Sequence, residues 1–162
     1  MKIKLDTLTL VTFDKENIKH VAFLKELIKD ETILKWFSGI TNNLLHNHGD
    51  EFFYRSFFVQ DANENLVAYM NIGAYNEGEK AVYLRSATRK AYRGKGIGKT
   101  LLLELTDYIF KNYNQVDMIK LKIDNENKPS IATANACGYK WILKDYYGKL
   151  NPNLLKDNNL NK

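Results

Sequence analysis

Residues 91–102, AYRGKGIGKTLL, place three glycines and three basic residues directly before an apolar helical pattern. Glycines at this density let consecutive backbone N–H groups approach an anion, and the N-terminus of the following helix adds a partial positive charge. The stretch therefore predicts a loop that binds phosphate groups. The rest of the sequence has to indicate which phosphate-bearing ligand the loop would take.

A nucleoside triphosphate loop of the Walker type is a poor match. Its pattern GxxxxGK[ST] would end at Gly98, Lys99 and Thr100, but the first glycine would then fall on Arg93. The downstream strand 116–124 contains lysines where the magnesium-binding strand of such proteins is apolar. A dinucleotide fingerprint also fails, because the glycines are spaced GxGxG rather than GxGxxG.

The pattern [QR]xxGxG fits with Arg93 at its start and Gly98 at its end, between a predicted strand and an amphipathic helix. This resembles the acetyl-CoA loop of the GNAT superfamily of N-acetyltransferases. The resemblance covers about residues 2–147 in the order of the predicted elements. It implies that the backbone of the loop surrounds the pyrophosphate of coenzyme A and that basic side chains neutralise its charge. The loop residues concerned are Arg93, Gly94, Lys95, Gly96, Ile97, Gly98 and Lys99.

A second motif, NKPSIATANACGYKW, is similar to the family's asparagine and short helix after the next strand. By this resemblance Asn127 contacts the pantetheine or nearby main chain, and Ser130 lies on the phosphate side. An alternative role for Asn127 is to cap the helix by accepting the Ser130 N–H. Tyr139 and Trp141 are interpreted as core residues.

The order of the elements indicates one mixed α/β domain over residues 1–150 and a polar tail over 151–162. Hydrophobic periodicity predicts one strand over 2–13, helices over 18–28 and 31–45 with a break near Gly39, and a hairpin of 51–60 with 65–75. A strand over 81–88, a helix over 98–111, a strand over 116–124, a helix over 128–137 and a last strand over 139–147 follow.

The resemblance implies a mostly antiparallel central sheet, flanked by helices, whose parallel fourth and fifth strands splay apart to form the cofactor cleft. Ser86, Ala87 and Thr88 would line that cleft. The pantetheine would extend the strand through backbone hydrogen bonds. The backbone N–H of Ala87, or one near it, would stabilise the oxyanion that forms when an amine attacks the thioester, and Ala87 is the candidate donor.

The acid and base of the reaction are less well defined, because two family positions differ. Many members supply a proton from a tyrosine that corresponds to Ala134, and some use a glutamate that corresponds to Lys122. Tyr146 or Tyr147 is the candidate acid. Carboxylates and a tyrosine near the cleft are candidates for deprotonating the amine: Asp50, Glu51, Glu77, Glu79 and Tyr83.

Composition narrows the class of protein. The chain has 44% hydrophobic and 27% charged residues, which is typical of a globular protein. Its net charge of +5 favours an anionic ligand. No secretion signal or membrane span is visible, and we expect a cytoplasmic protein without bound metal and without a nucleic-acid partner. His46 and His48 near Asp50 are interpreted as loop residues rather than metal ligands. Cys137 is interpreted as a small buried thiol.

These observations predict an acetyl-CoA-dependent N-acetyltransferase that acts on an amine by direct attack, without a covalent enzyme intermediate. The acceptor stays open among a protein N-terminus or lysine, a polyamine, an antibiotic and another small metabolite, and a homodimer stays open as well. The alternative is a catalytically silent acyl-CoA-binding module, since the family's tyrosine and glutamate are missing.

Overall fold

The computed structural model describes residues 1–45 and 51–154, and they form an eight-stranded sheet with helices on both faces. The strands are β1 Lys2–Lys4, β2 Thr9–Val11, β3 Arg55–Gln60, β4 Leu66–Ile72, β5 Ala81–Thr88, β6 Met118–Lys122, β7 Lys140–Leu143 and β8 Tyr146–Leu150. Their spatial order is β1-β2-β3-β4-β5-β6-β8-β7. All neighbouring pairs are antiparallel except β5 and β6.

In the described part of the chain, five α-helices cover the sheet: α1 Ile18–Leu27, α2 Glu31–Trp36, α3 Ile40–Leu45, α4 Ile97–Asn112 and α5 Lys128–Ala136. One hydrophobic cluster joins one face of the sheet to α4 and α5, and a second joins the other face to α1, α2 and α3. No helix among residues 1–45 and 51–154 combines the length and the apolar character needed to cross a membrane.

The predicted fold class is confirmed: the sheet is mostly antiparallel, with one parallel pair and helices on both faces. Strand β5 has the predicted bounds. The break between α2 and α3 lies at Gly39, whose φ of 72° few other residues adopt. Helix α1 begins after Asn17, whose side chain accepts the N–H groups of Lys19 and His20.

The single strand predicted over 2–13 is wrong, since the chain reverses within it and forms the hairpin of β1 and β2. Leu5 N–H donates to Leu8 C=O at 2.9 Å across the turn. Glu104 of α4 holds this turn by accepting the backbone N–H groups of Thr7 and Leu8 at 2.6 and 3.0 Å. Alternating hydrophobicity indicates an extended chain but does not reveal where it turns back.

The single last strand predicted over 139–147 is also wrong. Lys144, with φ of 50°, lies in a turn that separates β7 from β8, and β8 inserts between β6 and β7. Trp141 is 61% exposed on the edge strand, so its interpretation as a core residue is wrong, whereas Tyr139 is buried as expected. Asn151, predicted to begin a frayed tail, is buried, and its Nδ2 donates to Val116 C=O at 3.0 Å.

Thr106 on α4 and Tyr139 before β7 share a hydrogen bond of 2.6 Å, and both residues are almost fully buried. Thr106→Val leaves the Tyr139 hydroxyl without this partner, so we expect the free energy of unfolding to fall by about 1–3 kcal/mol. Urea denaturation measures it. The double variant Thr106→Val with Tyr139→Phe removes both polar groups and should recover part of the loss. Equal stability of the single and double variants would contradict this role.

Candidate functional site

The centre of the site is the point where β5 and β6 separate. Their parallel ladder contains three residue pairs and ends at Tyr83 and Lys120. Beyond that point β5 continues to Thr88 and pairs only with β4, while β6 continues to Lys122 and pairs with β8. The C-terminal half of β5 therefore has an edge that β6 does not cover, in the position predicted for the cofactor cleft.

The backbone hydrogen bonds of β5 show which residues face that edge. On the β4 side, Gly73 N–H donates to Tyr83 C=O and Arg89 N–H donates to Val67 C=O, each at 2.8 Å. The ladder between these two bonds runs without a register shift. Successive residues of a strand direct their backbone groups to opposite sides, so the odd-numbered residues from 83 to 89 face β4.

The even-numbered residues Ser86 and Thr88 consequently direct their N–H and C=O groups to the uncovered edge. Lys80 agrees with this alternation, because its C=O accepts the Asp117 N–H at 2.8 Å on the β6 side. The prediction that Ala87 supplies the oxyanion donor does not fit this register, since the Ala87 N–H faces β4. Its side chain is buried in the cluster under α1, α2 and α3.

A short 3-10 helix, Lys90–Tyr92, separates β5 from the glycine loop, residues 93–99, which runs into the N-terminus of α4. Gly94 and Gly96 have φ of 76° and 80°, and a Cβ added at either would meet no protein atom within 4 Å. Gly96 is the N-cap residue of α4, and no side chain of residues 1–45 or 51–154 caps this helix end. The first N–H groups of α4 are therefore open to a ligand, which is the arrangement that binds anions at helix N-termini.

The basic residues of the loop differ in their surroundings. Arg93 Nη2 donates to Asp30 Oδ2 at 2.6 Å, so its charge is compensated by a carboxylate rather than left for a phosphate. Lys95 lies over the ring of Tyr92, with Nζ 5.5 Å from the centroid, and Lys99 is exposed on the first turn of α4. Lys95 and Lys99 thus remain the available cations.

Asp30 has two partners. Its Oδ1 accepts the N–H groups of Thr32 and Ile33 at 3.0 and 3.3 Å and so caps α2, while its Oδ2 accepts from Arg93. A parallel ion pair joins Arg89 to Glu26 of α1 at 2.7 Å. Sequence reasoning missed both pairs, because the partners are 63 residues apart and a pattern of charges does not indicate such contacts.

Asn127 precedes α5, but its side chain makes no capping bond, so the helix-cap alternative is wrong. The backbone of Asn127 is held by Asp124 and Ile131, at 2.9 and 3.1 Å, and its half-buried amide has no partner among the described residues. Ser130 is half-buried in the first turn of α5.

Cys137, which follows α5, is buried as expected. Its Sγ lies 3.6 Å from the Lys99 carbonyl, and burial raises the pKa of its thiol.

Tyr146 and Tyr147 lie on opposite faces of β8. Tyr147 pairs in register with Leu121 and is buried in the cluster under α4 and α5. Tyr146 pairs with Lys122 on the other face, where its ring is 6.1 Å from that of Tyr83. The two candidate acids therefore lie in different surroundings, Tyr147 in the core and Tyr146 on the opposite face of the sheet.

Other candidate residues of the sequence analysis have different positions. Glu79 is paired with Lys120 at 3.3 Å. His46, His48 and Asp50 lie outside the described residues.

Comparison with known proteins indicates the family of the chain. The family model of the acetyltransferase (GNAT) family matches residues 21–139, most of the chain. No significant sequence match is found among curated proteins.

Solved structures share the fold. A GNAT-family acetyltransferase from Bacillus anthracis is 20% identical, with a TM-score of 0.73, over 93% of this chain and 99% of the other. A variant of the spermidine N-acetyltransferase of Vibrio cholerae is 19% identical, with a TM-score of 0.67, over 94% and 98%. RimL, a ribosomal-protein alpha-N-acetyltransferase in complex with coenzyme A, is 18% identical, with a TM-score of 0.66, over 93% and 98%.

The match over residues 21–139 and the shared fold lead to one conclusion: the chain belongs to the GNAT acetyltransferase family and is an acetyl-CoA-dependent N-acetyltransferase.

Proposed function

We propose that this enzyme transfers the acetyl group of acetyl-CoA to a primary amine by direct attack of the amine on the thioester carbonyl, through a tetrahedral intermediate. The observation that carries the proposal is the continuous path from the uncovered edge of β5, through the glycine loop, to the open N-terminus of α4. Acetyl-CoA supplies the activated acetyl group when bound. The remaining steps depend on residues of this chain.

The binding residues follow from the chemistry of that path. The N–H groups of residues 94–99 surround the pyrophosphate, and Lys95 and Lys99 neutralise its charge. Ser86 and Thr88 offer backbone N–H and C=O groups to the pantetheine, which thereby extends the sheet. At the start of α5, Asn127 offers its amide and Ser130 its hydroxyl to the cofactor. Arg93 orders the loop through Asp30 instead of binding phosphate.

Catalysis in this proposal depends on backbone donors and on a proton for the departing thiolate. We assign the oxyanion donor to the N–H of Ser86 or Thr88 instead of that of Ala87, since the Ser86 and Thr88 groups face the edge on which the thioester would lie. Tyr146 and Tyr147 stay candidates for the acid that protonates the thiolate. The amine must be neutral when it attacks. As the N–C bond forms and the C–S bond breaks, the nitrogen loses one proton and the departing thiolate gains one, so no net proton is released.

Acetyl transfer is tested with the full chain, acetyl-CoA and a panel of amines, with release of free thiol and the mass of the acceptor as readouts. We expect thiol release that depends on the amine and a mass increase of one acetyl group on that amine. Calorimetry with acetyl-CoA runs in parallel. Tight binding without transfer to any amine would favour the silent acyl-CoA-binding module. Stabilisation by ATP with magnesium but not by coenzyme A would contradict the proposal as a whole.

Gly96→Val tests the loop. Valine is strained at φ of 80°, by about 1–2 kcal/mol, and its side chain would occupy the open space in front of α4. We expect a folded variant whose affinity for acetyl-CoA, measured by calorimetry, falls at least about tenfold, since the phosphate position is blocked.

Gly39→Val is the matched control for that variant. Gly39 also precedes a helix, has φ of 72°, and has no protein atom within 4 Å of an added Cβ. A valine at position 39 has the same backbone strain without lying in the loop. The variant should therefore lose comparable stability and keep its affinity for acetyl-CoA. Equal losses of affinity for acetyl-CoA in both variants would contradict the assignment of the phosphate site to the loop.

Asp30→Asn tests whether the ion pair orders the loop. Asparagine can still cap α2, but its amide places a donor or a neutral acceptor where Arg93 needs a carboxylate. We expect the dissociation constant of acetyl-CoA to rise about three- to tenfold and stability to fall by about 1 kcal/mol. Glu26→Gln, which removes the more exposed pair with Arg89, should have the smaller effect. The reverse order would contradict the anchoring role of Asp30.

A further inference from the structure

We infer that the acceptor of this enzyme is an amine that carries negative charge close to its amino group, and this inference rests on the proposed function. The acceptor concerns the face of the sheet that is opposite to α4 and α5. A cofactor held at the N-terminus of α4 approaches from the α4 face, so the acceptor has to reach the thioester from the other face. Side chains on that other face therefore contact the acceptor.

Five side chains form what we call the basic wall on this face: Tyr83, Arg85, Lys120, Lys122 and Tyr146. Alternation in the strands assigns them to the same side. Their neighbours Leu84, Ile119, Leu121 and Tyr147 lie in the opposite cluster with α4 and α5. The parallel register also places Tyr83 beside Lys120, and the antiparallel register places Lys122 beside Tyr146.

Contacts between these side chains are consistent with one continuous surface. Lys120 Nζ lies 5.8 Å from the ring centroid of Tyr83, the rings of Tyr83 and Tyr146 are 6.1 Å apart, and Lys122 Nζ lies 5.9 Å from the Tyr146 ring. Arg85 is two residues beyond Tyr83 on the same face of β5. The wall therefore follows both strands at the point where they separate.

The wall retains an excess of positive charge. Lys120 is paired with Glu79 at 3.3 Å. Arg85 donates to the Trp36 carbonyl at 2.8 Å and lies over the Phe37 ring, which leaves its charge without a carboxylate. Within residues 1–45 and 51–154, neither Arg85 nor Lys122 forms an ion pair. Two uncompensated cations thus face the side from which the acceptor arrives.

These cations act on the acceptor in two ways. They attract carboxylates or phosphates on the acceptor and repel a polycation. They also lower the pKa of an amine beside them, because a nearby positive charge disfavours the ammonium form. An α-amine, with an ordinary pKa of about 8, then becomes neutral without a strong general base, whereas a side-chain amine near 10 stays protonated. The same wall therefore disfavours polyamines.

Kinetics with matched peptides test this inference. The probes are tetrapeptide amides that begin with serine, followed by two glutamates, two glutamines or two lysines, together with spermidine and free glutamate. We expect kcat/KM for the glutamate peptide to exceed that for the glutamine peptide about three- to tenfold at low salt. The advantage should shrink at high ionic strength. Transfer to the peptide alone indicates a peptide N-terminus, and transfer to free glutamate indicates a small metabolite; both results support an anionic acceptor.

Variants of the basic wall test whether its cations cause the preference for the glutamate peptide. Lys122→Glu should abolish or reverse the preference for the glutamate peptide through KM, while the affinity for acetyl-CoA in calorimetry stays unchanged. Arg85→Lys keeps the charge and should keep the preference. Lys4→Glu makes the same charge change on β1, at the other edge of the sheet, and should have no effect. If Lys122→Glu leaves the preference for the glutamate peptide intact, that preference depends on residues outside the wall, and the inference is overturned.

The inference and the proposed function fail in different ways. Equal or faster transfer to spermidine or to the lysine peptide would overturn the anionic acceptor while leaving the acetyltransferase in place. Absence of acetyl-CoA binding would contradict the proposed function itself. The two readouts, transfer across the acceptor panel and calorimetry with acetyl-CoA, separate these cases.

Discussion

The short parallel ladder between β5 and β6 is the constraint on which the site depends. Three residue pairs hold the two strands together, and each strand then follows its other neighbour. Neither strand loses its place in the sheet, because β5 keeps β4 and β6 keeps β8. A usable edge of backbone donors and acceptors is thereby created in the middle of a sheet, where every such group is ordinarily paired. The two outer edges of the sheet belong to β1 and β7.

The position of the glycine loop depends on side chains that are not themselves ligands. Arg89 and Arg93 lie four residues apart, and each contacts a carboxylate, one at the end of α1 and one before α2. Asp30 combines the cap of α2 with the bond to Arg93, so the start of that helix and the start of the loop share one carboxyl group. Two ion pairs thus connect the end of α1 and the start of α2 to the segment that carries the glycine loop.

The sequence was sufficient for features that depend on local chemistry. Gly39, Gly96 and Gly138 occupy positions with positive φ, and the glycine loop, β5 and α5 could be predicted from turn residues and periodicity. Features that depend on distant contacts could not. The turn between β1 and β2 is held by Glu104, almost a hundred residues away, and the partner of Arg93 is 63 residues away. Alternation could not indicate that Tyr146 faces the wall and Tyr147 the core, because this depends on the register with β6.

The burial of Cys137 has a practical consequence. The chain has a single cysteine, only 2% exposed, and burial raises the pKa of its thiol. Thiolates are the form that reacts with disulfide reagents, so this residue reacts slowly while the protein is folded. A chromogenic disulfide reagent added during turnover would therefore report coenzyme A with little background from the enzyme. Folded copies would also resist cross-linking to one another through sulfur during oxidising storage.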